Sequence, residues 1–188
     1  MTLPFIANAD DAIQKYLGKR WELSKTEKNY LEKGEVLADA NVTTIKKEQE
    51  FKLKAVALHP KTCTKVLRKL SMLENYSQWI SFINRSEYNE KNKLFTLRAD
   101  HMLLPFPMIV HIIVDRPTQP GVYPFVFPTG IFTGLKGEFE IKKVDERCLF
   151  YAHSKWRGEK TKIPDLVIEV FSETLSKLGG EVLMRKVR

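Results

Sequence analysis

The sequence predicts an α+β domain in which a curved antiparallel sheet wraps around a long C-terminal helix, with two short helices after the first strand and a helical arm at the N-terminus. Three observations predict it. Apolar and charged residues alternate at period two in 51–58 and 135–142, which marks strands with one buried face. Turn signals at 89–92, 105–107, 117–121 and 145–146 cut the stretch 83–155 into hairpin-sized pieces, as in a meander. After Pro164 the period lengthens, and Leu166, Val167, Val170, Phe171, Leu175 and Leu178 form one stripe with Glu169, Glu173 and Lys177 outside it, as in an amphipathic helix.

Taken in chain order, Ala12, Ile13, Tyr16, Leu17 and Trp21 recur at three- and four-residue steps behind Asp10-Asp11. They predict one short amphipathic helix, weakened at its end by Gly18. A short strand at 36–45 and a longer one at 51–58 follow. His59-Pro60 stops the latter, and Pro60 suits the first turn of a helix because a missing N–H costs nothing there. Val66, Leu67 and Leu70 then predict a helix over 61–70, with a brief second one near 77–82. Strands are expected at 86–88, 94–102, 108–114, 122–127, 130–144 and 147–156. Gly179-Gly180 should weaken or kink the last helix.

The chain has 188 residues, a formal net charge of +8, 43% apolar residues, 9 Gly and 9 Pro. That is one domain's worth of chain and excludes disorder or a fibrous repeat. No run of about 18 uncharged apolar residues is present, which excludes a membrane-spanning helix. Cys63 and Cys148 lie far apart, without a nearby Cys or His, which excludes a zinc finger or a disulfide scaffold. They read as two small buried hydrophobes. The start of the chain has two readings: Ala7-Asn8-Ala9 resembles the end of a secretory signal, which implies a periplasmic or secreted protein, or it is an ordinary arm of a cytoplasmic one.

Pro60 followed by Glu74-Asn75-Tyr76 and Trp79, the Pro105-Phe106-Pro107 break, the step from Gly130-Ile131-Phe132 into Leu135-Lys136-Gly137-Glu138-Phe139, and the closing helix after Pro164 together resemble the START-like superfamily. That group includes polyketide cyclases, aromatase-type proteins and coenzyme Q-binding proteins. The resemblance covers about 34–186 and divides the chain into an arm, 1–33, and a ligand-binding domain, 34–188. It implies a helix-grip fold with a cavity for a lipid, sterol, quinone or polyketide. The chain departs from the pattern at Val66 and Leu67, where an aromatic is common, and in its extended arm.

A sheet curling around a helix leaves a tapered apolar space, the usual form of a small-molecule site. The residues expected to line it are Trp79, Phe82, Met102, Phe106, Met108, Phe125, Phe127, Phe132, Phe139, Trp156 and Phe171, all of which could equally be plain core. Lys155 and Arg157, beside Lys160 and Lys162 before the last helix, are expected to orient a head group or to meet an anionic membrane. A second class of function, a cyclase- or dehydratase-like enzyme, would need His111, His153, Arg98 or Asp100 in the space as acid or base. Structural histidines and a solvated Arg98/Asp100 pair are the plain alternative. A third reading is a protein-interaction module.

No phosphate loop, zinc-protease pair or nucleophile elbow is present, and the sequence implies no cofactor and no metal. Lys136, Glu138, Glu140 and Lys142 balance their charge on a face expected to be wet, which argues against nucleic acid despite the net charge.

Overall fold

The computed structural model describes residues 9–100 and 107–187. Met102, Phe106 and Ala7-Asn8 lie outside the described residues. The arm is two helices, α1 (Ala9–Leu17) and α2 (Lys25–Glu32), where the sequence reading expected one. Two signals divide it. Gly18 takes a positive φ of 55°, a region that favours glycine. Ser24 and Glu27 then form a capping box, with the Glu27 N–H bonded to Ser24 Oγ at 3.2 Å and the Ser24 N–H to Glu27 Oε2 at 2.8 Å, satisfying two donors that begin a new helix.

Strands β1 (Val36–Ile45) and β2 (Glu48–His59) precede two short helices, α3 (Cys63–Leu70) and α4 (Tyr76–Trp79). Both strands expected before the helices are present, and the helices follow the second of them. The meander supplies β3 (Ile83–Asn89), β4 (Leu94–Ala99), β5 (Met108–Val114), β6 (Gly121–Val126), β7 (Lys136–Val144) and β8 (Arg147–Glu159). All eight form one sheet in the order β1-β2-β8-β7-β6-β5-β4-β3, with every neighbouring pair antiparallel. Residues 130–134, expected as strand, form a turn in which Gly130 and Gly134 have φ of 99° and 85°.

Helix α5 (Asp165–Lys186) runs unbroken through Gly179 and Gly180. A Cβ on Gly180 would lie 3.0 Å from Val36 Cγ2, so that glycine serves the close approach of α5 to β1 rather than a kink. None of the described helices is long and apolar enough to cross a membrane.

The sheet buries apolar side chains on both faces. On the convex face Ile13, Leu17, Trp21 and Leu31 of the arm pack against Val56, Leu58, Val144, Leu149 and Tyr151. On the concave face one end is filled by Ala57, Val66, Leu67, Leu70, Phe150 and Met184. Here the cysteines depart from expectation: both are buried, but Cys63 of α3 and Cys148 of β8 are joined in a disulfide across 85 residues of chain. Sequence distance gave no hint of it, because the β2–α3 corner folds back over the start of β8.

Candidate functional site

The other end of the concave face is hollow. A space of about 400 Å³ lies between α5 and the sheet, within the range of small-molecule sites. Its walls are Phe51 and Leu53 from β2, Leu97 from β4, Met108, Val110 and Ile112 from β5, and Phe125 from β6. Phe127, Ile131, Phe132 and Leu135 close it along the β6–β7 connection, and Val167, Ile168, Phe171 and Leu175 come from α5. Ser154 of β8 and Ser172 and Ser176 of α5 add hydroxyls.

Strand parity explains these choices. On β5 residues 108, 110 and 112 point inward, so His111 shares the outer face with exposed Ile109 and Ile113. Its Nδ1 lies 3.0 Å from Thr96 Oγ1, its cross-strand partner. On β8 Ser154 points inward, so His153, Lys155 and Arg157 point out.

Of the expected lining residues, Met108, Phe125, Phe127, Phe132 and Phe171 face the space. Trp156 stands behind it, edge-on to Phe132 at 5.2 Å and bonded through Nε1 to the Thr133 carbonyl at 3.1 Å, which pins the 130–134 turn. Phe139 lies in the filled end, stacked on Phe150 at 5.8 Å. Trp79 packs beside Tyr76, and Phe82 lines an outer groove instead.

The polar candidates stand outside the space. Arg98 and Asp100 are exposed, and Arg98 faces outward from β4 opposite Ile109, the parity opposed to Leu97. Arg157 pairs with Glu48 and Glu50 across β2, and Lys155 is exposed on the same face. None of His111, His153, Arg98, Asp100, Lys155 or Arg157 lines the space. Sequence reasoning missed Phe51, Leu53, Leu97, Val110 and Ile112, although the period-two rule applied from Met108 selects Val110 and Ile112.

The face expected to be wet is wet at Lys136 and Lys142 and covered by the arm at Glu140. Glu140, 7% exposed at its side chain, accepts from Arg20 Nη1 at 2.6 Å and from Tyr16 Oη at 2.5 Å. Arg20 in turn lies over the rings of Tyr16 and Tyr151 at 5.1 and 4.8 Å. Burial raises the Tyr16 hydroxyl's pKa, and Glu140's charge raises it further. Glu138, Glu140 and His153 each bring a ligand atom within 4.8 Å of the others. Glu140 is already bonded to a guanidinium, and through it this one member of the cluster ties the arm to the sheet.

Helix α5 also sits differently from expectation. Asp165 Oδ2, Glu169 Oε1 and Glu173 Oε1 accept the edge N–H groups of Thr44, Val42 and Ala40 at 3.1, 2.6 and 3.0 Å. The two glutamates expected outside therefore face β1, and the helix is rolled so that Leu166, Val167, Val170 and Leu178 are exposed. These side chains and Phe82 border an outer groove of about 600 Å³ that shares Val167, Phe171 and Leu175 with the inner space.

The whole arrangement, a curved sheet gripping a C-terminal helix with a hollow between, is the helix-grip fold of START-like proteins. Among solved structures the chain is similar to a START superfamily protein from Mycobacterium smegmatis, with TM-score 0.56 and 16% identity over 72% of this chain and 96% of that one. It is similar to a STAR-related lipid transfer protein from Xanthomonas axonopodis, at TM-score 0.51 and 9% identity over 80% and 99%. The Zhui aromatase/cyclase from Streptomyces sp. R1128 gives TM-score 0.52 and 14% identity over 74% and 96%. No family model and no curated protein sequence matches the chain.

Proposed function

We propose that this chain binds and carries a hydrophobic small molecule between its sheet and α5. The observation that supports this best is the hollow end of the concave face, about 400 Å³ walled by apolar side chains of β2, β4, β5, β6 and α5. Each buried methylene of a ligand would contribute about 0.8 kcal/mol. Met108 and Phe132 are adaptable or large side chains suited to shaping the site around its cargo. The aromatase/cyclase and lipid-transfer likenesses support a ligand-binding fold and leave the chemistry open. Acid–base catalysis by His111, His153, Arg98 or Asp100 gains no support, because all four stand outside the space.

Native mass spectrometry of the purified chain should show a copurified ligand or uptake of one from a lipid extract. Val110→Trp, which fills the space from β5, should abolish uptake while the circular dichroism spectrum is retained. Equal uptake by that variant would place binding elsewhere.

We also propose an oxidising compartment as its place of work, because disulfides persist there and not in a reducing cytosol. Acid quenching of intact cells followed by alkylation of the denatured chain without reductant should label neither Cys63 nor Cys148; labelling of both would refute this.

A further inference from the structure

We propose that the ligand is uncharged where it lies inside, with polar groups limited to hydroxyl or carbonyl oxygens. This rests on the reading that the hollow is a ligand site. The side-chain polar groups that the described residues turn into it are the hydroxyls of Ser154 on β8 and of Ser172 and Ser176, one turn apart on α5. Among the described lining residues there is no Lys, Arg, His, Asp or Glu. None of the three hydroxyls is engaged by another described group.

A serine hydroxyl both donates and accepts. It therefore serves an alcohol or a ketone equally well. A carboxylate or phosphate in the same place would shed its hydration and gain no cation in return, which a hydroxyl or two cannot offset. The cations that would have met it, Lys155 and Arg157, are on the far side of the sheet, and Arg157 is paired with Glu48 and Glu50. The site thus selects by charge: of two ligands with one chain length, the neutral one wins.

Displacement of the neutral fluorophore N-phenyl-1-naphthylamine from the full chain at pH 8, by 1-dodecanol or by dodecanoate, tests this. Dodecanol should displace the probe at a concentration about tenfold lower or less. The double variant Ser154→Ala/Ser172→Ala should weaken dodecanol by about 3- to 10-fold relative to dodecane, a competitor with no polar group, measured on the same variant. Dodecanoate binding as tightly as dodecanol overturns the inference while the cavity reading stands. Dodecanol unaffected in the serine variant overturns the part given to the hydroxyls. A probe that does not bind at all overturns the cavity reading first, and this inference with it. The comparison of alcohol with carboxylate uses the natural chain and needs no variant to fold.

Discussion

Two carboxylates hold the arm to the sheet by charge: Glu32 of α2, bonded to Arg147 of β8 at 2.6 and 2.7 Å, and the more deeply buried Glu140 of β7, bonded to Arg20. Burial alone would raise the pKa of Glu140, but the hydrogen bonds from Arg20 and Tyr16 outweigh it and hold the group below the ordinary glutamate value. A lowered folded value means that this contribution to stability is complete above the ordinary value and is lost as pH falls through it toward the folded one. Arg20 is 38% exposed, so water screens part of the attraction. Glu140→Gln should therefore cost about 1–2 kcal/mol at pH 7. Its urea midpoint should also fall less steeply than the natural chain's between about pH 5 and pH 3. Parallel acid slopes would show that the charge plays no part. At this scale the sequence was legible for type and silent on partner: Glu140 reads as a strand's polar position, and only docking of the arm buries it.

At the scale of elements, the pairing of α5 with β1 follows from two spacings. Four residues of helix rise about 6 Å, and two residues of strand advance about 6.6–6.8 Å. Carboxylates at 165, 169 and 173 therefore keep step with edge amides at 44, 42 and 40. The ladder blunts an edge that would otherwise invite another strand. Glu169→Ala/Glu173→Ala should lower stability by about 2 kcal/mol. Hydrogen exchange should quicken at the Ala40 and Val42 amides but not at central Leu149 of β8, and unchanged exchange at 40 and 42 would refute the ladder. The helix itself was plain in its period, yet its rotation was not. A stripe of Leu166, Val170 and Leu178 predicts an inward face, and three hydrogen bonds to an exposed sheet edge turned it outward.

For the whole molecule, the Cys63–Cys148 bond ties the filled end of the concave face together. Its loop of 85 residues corresponds to about 4–5 kcal/mol in the chain-entropy account. Urea unfolding with and without reductant should show a large fall in midpoint on reduction, and Cys63→Ser/Cys148→Ser should match the reduced protein. Coincident curves for oxidised and reduced chain would mean that the bond contributes nothing. The bond thus lies at the filled end of the concave face, and the hollow walled by Met108 and Phe132 lies at the other.

The order of the strands, the meander and the closing amphipathic helix were determined by the sequence alone, because period and turn chemistry act over a few residues and need no partner. Tertiary structure alone decided which face of each strand meets the hollow, which carboxylates are buried, how α5 is rolled and that two distant cysteines touch. Those outcomes depend on surfaces brought together from positions far apart in the chain, and a local pattern carries no record of what will cover it.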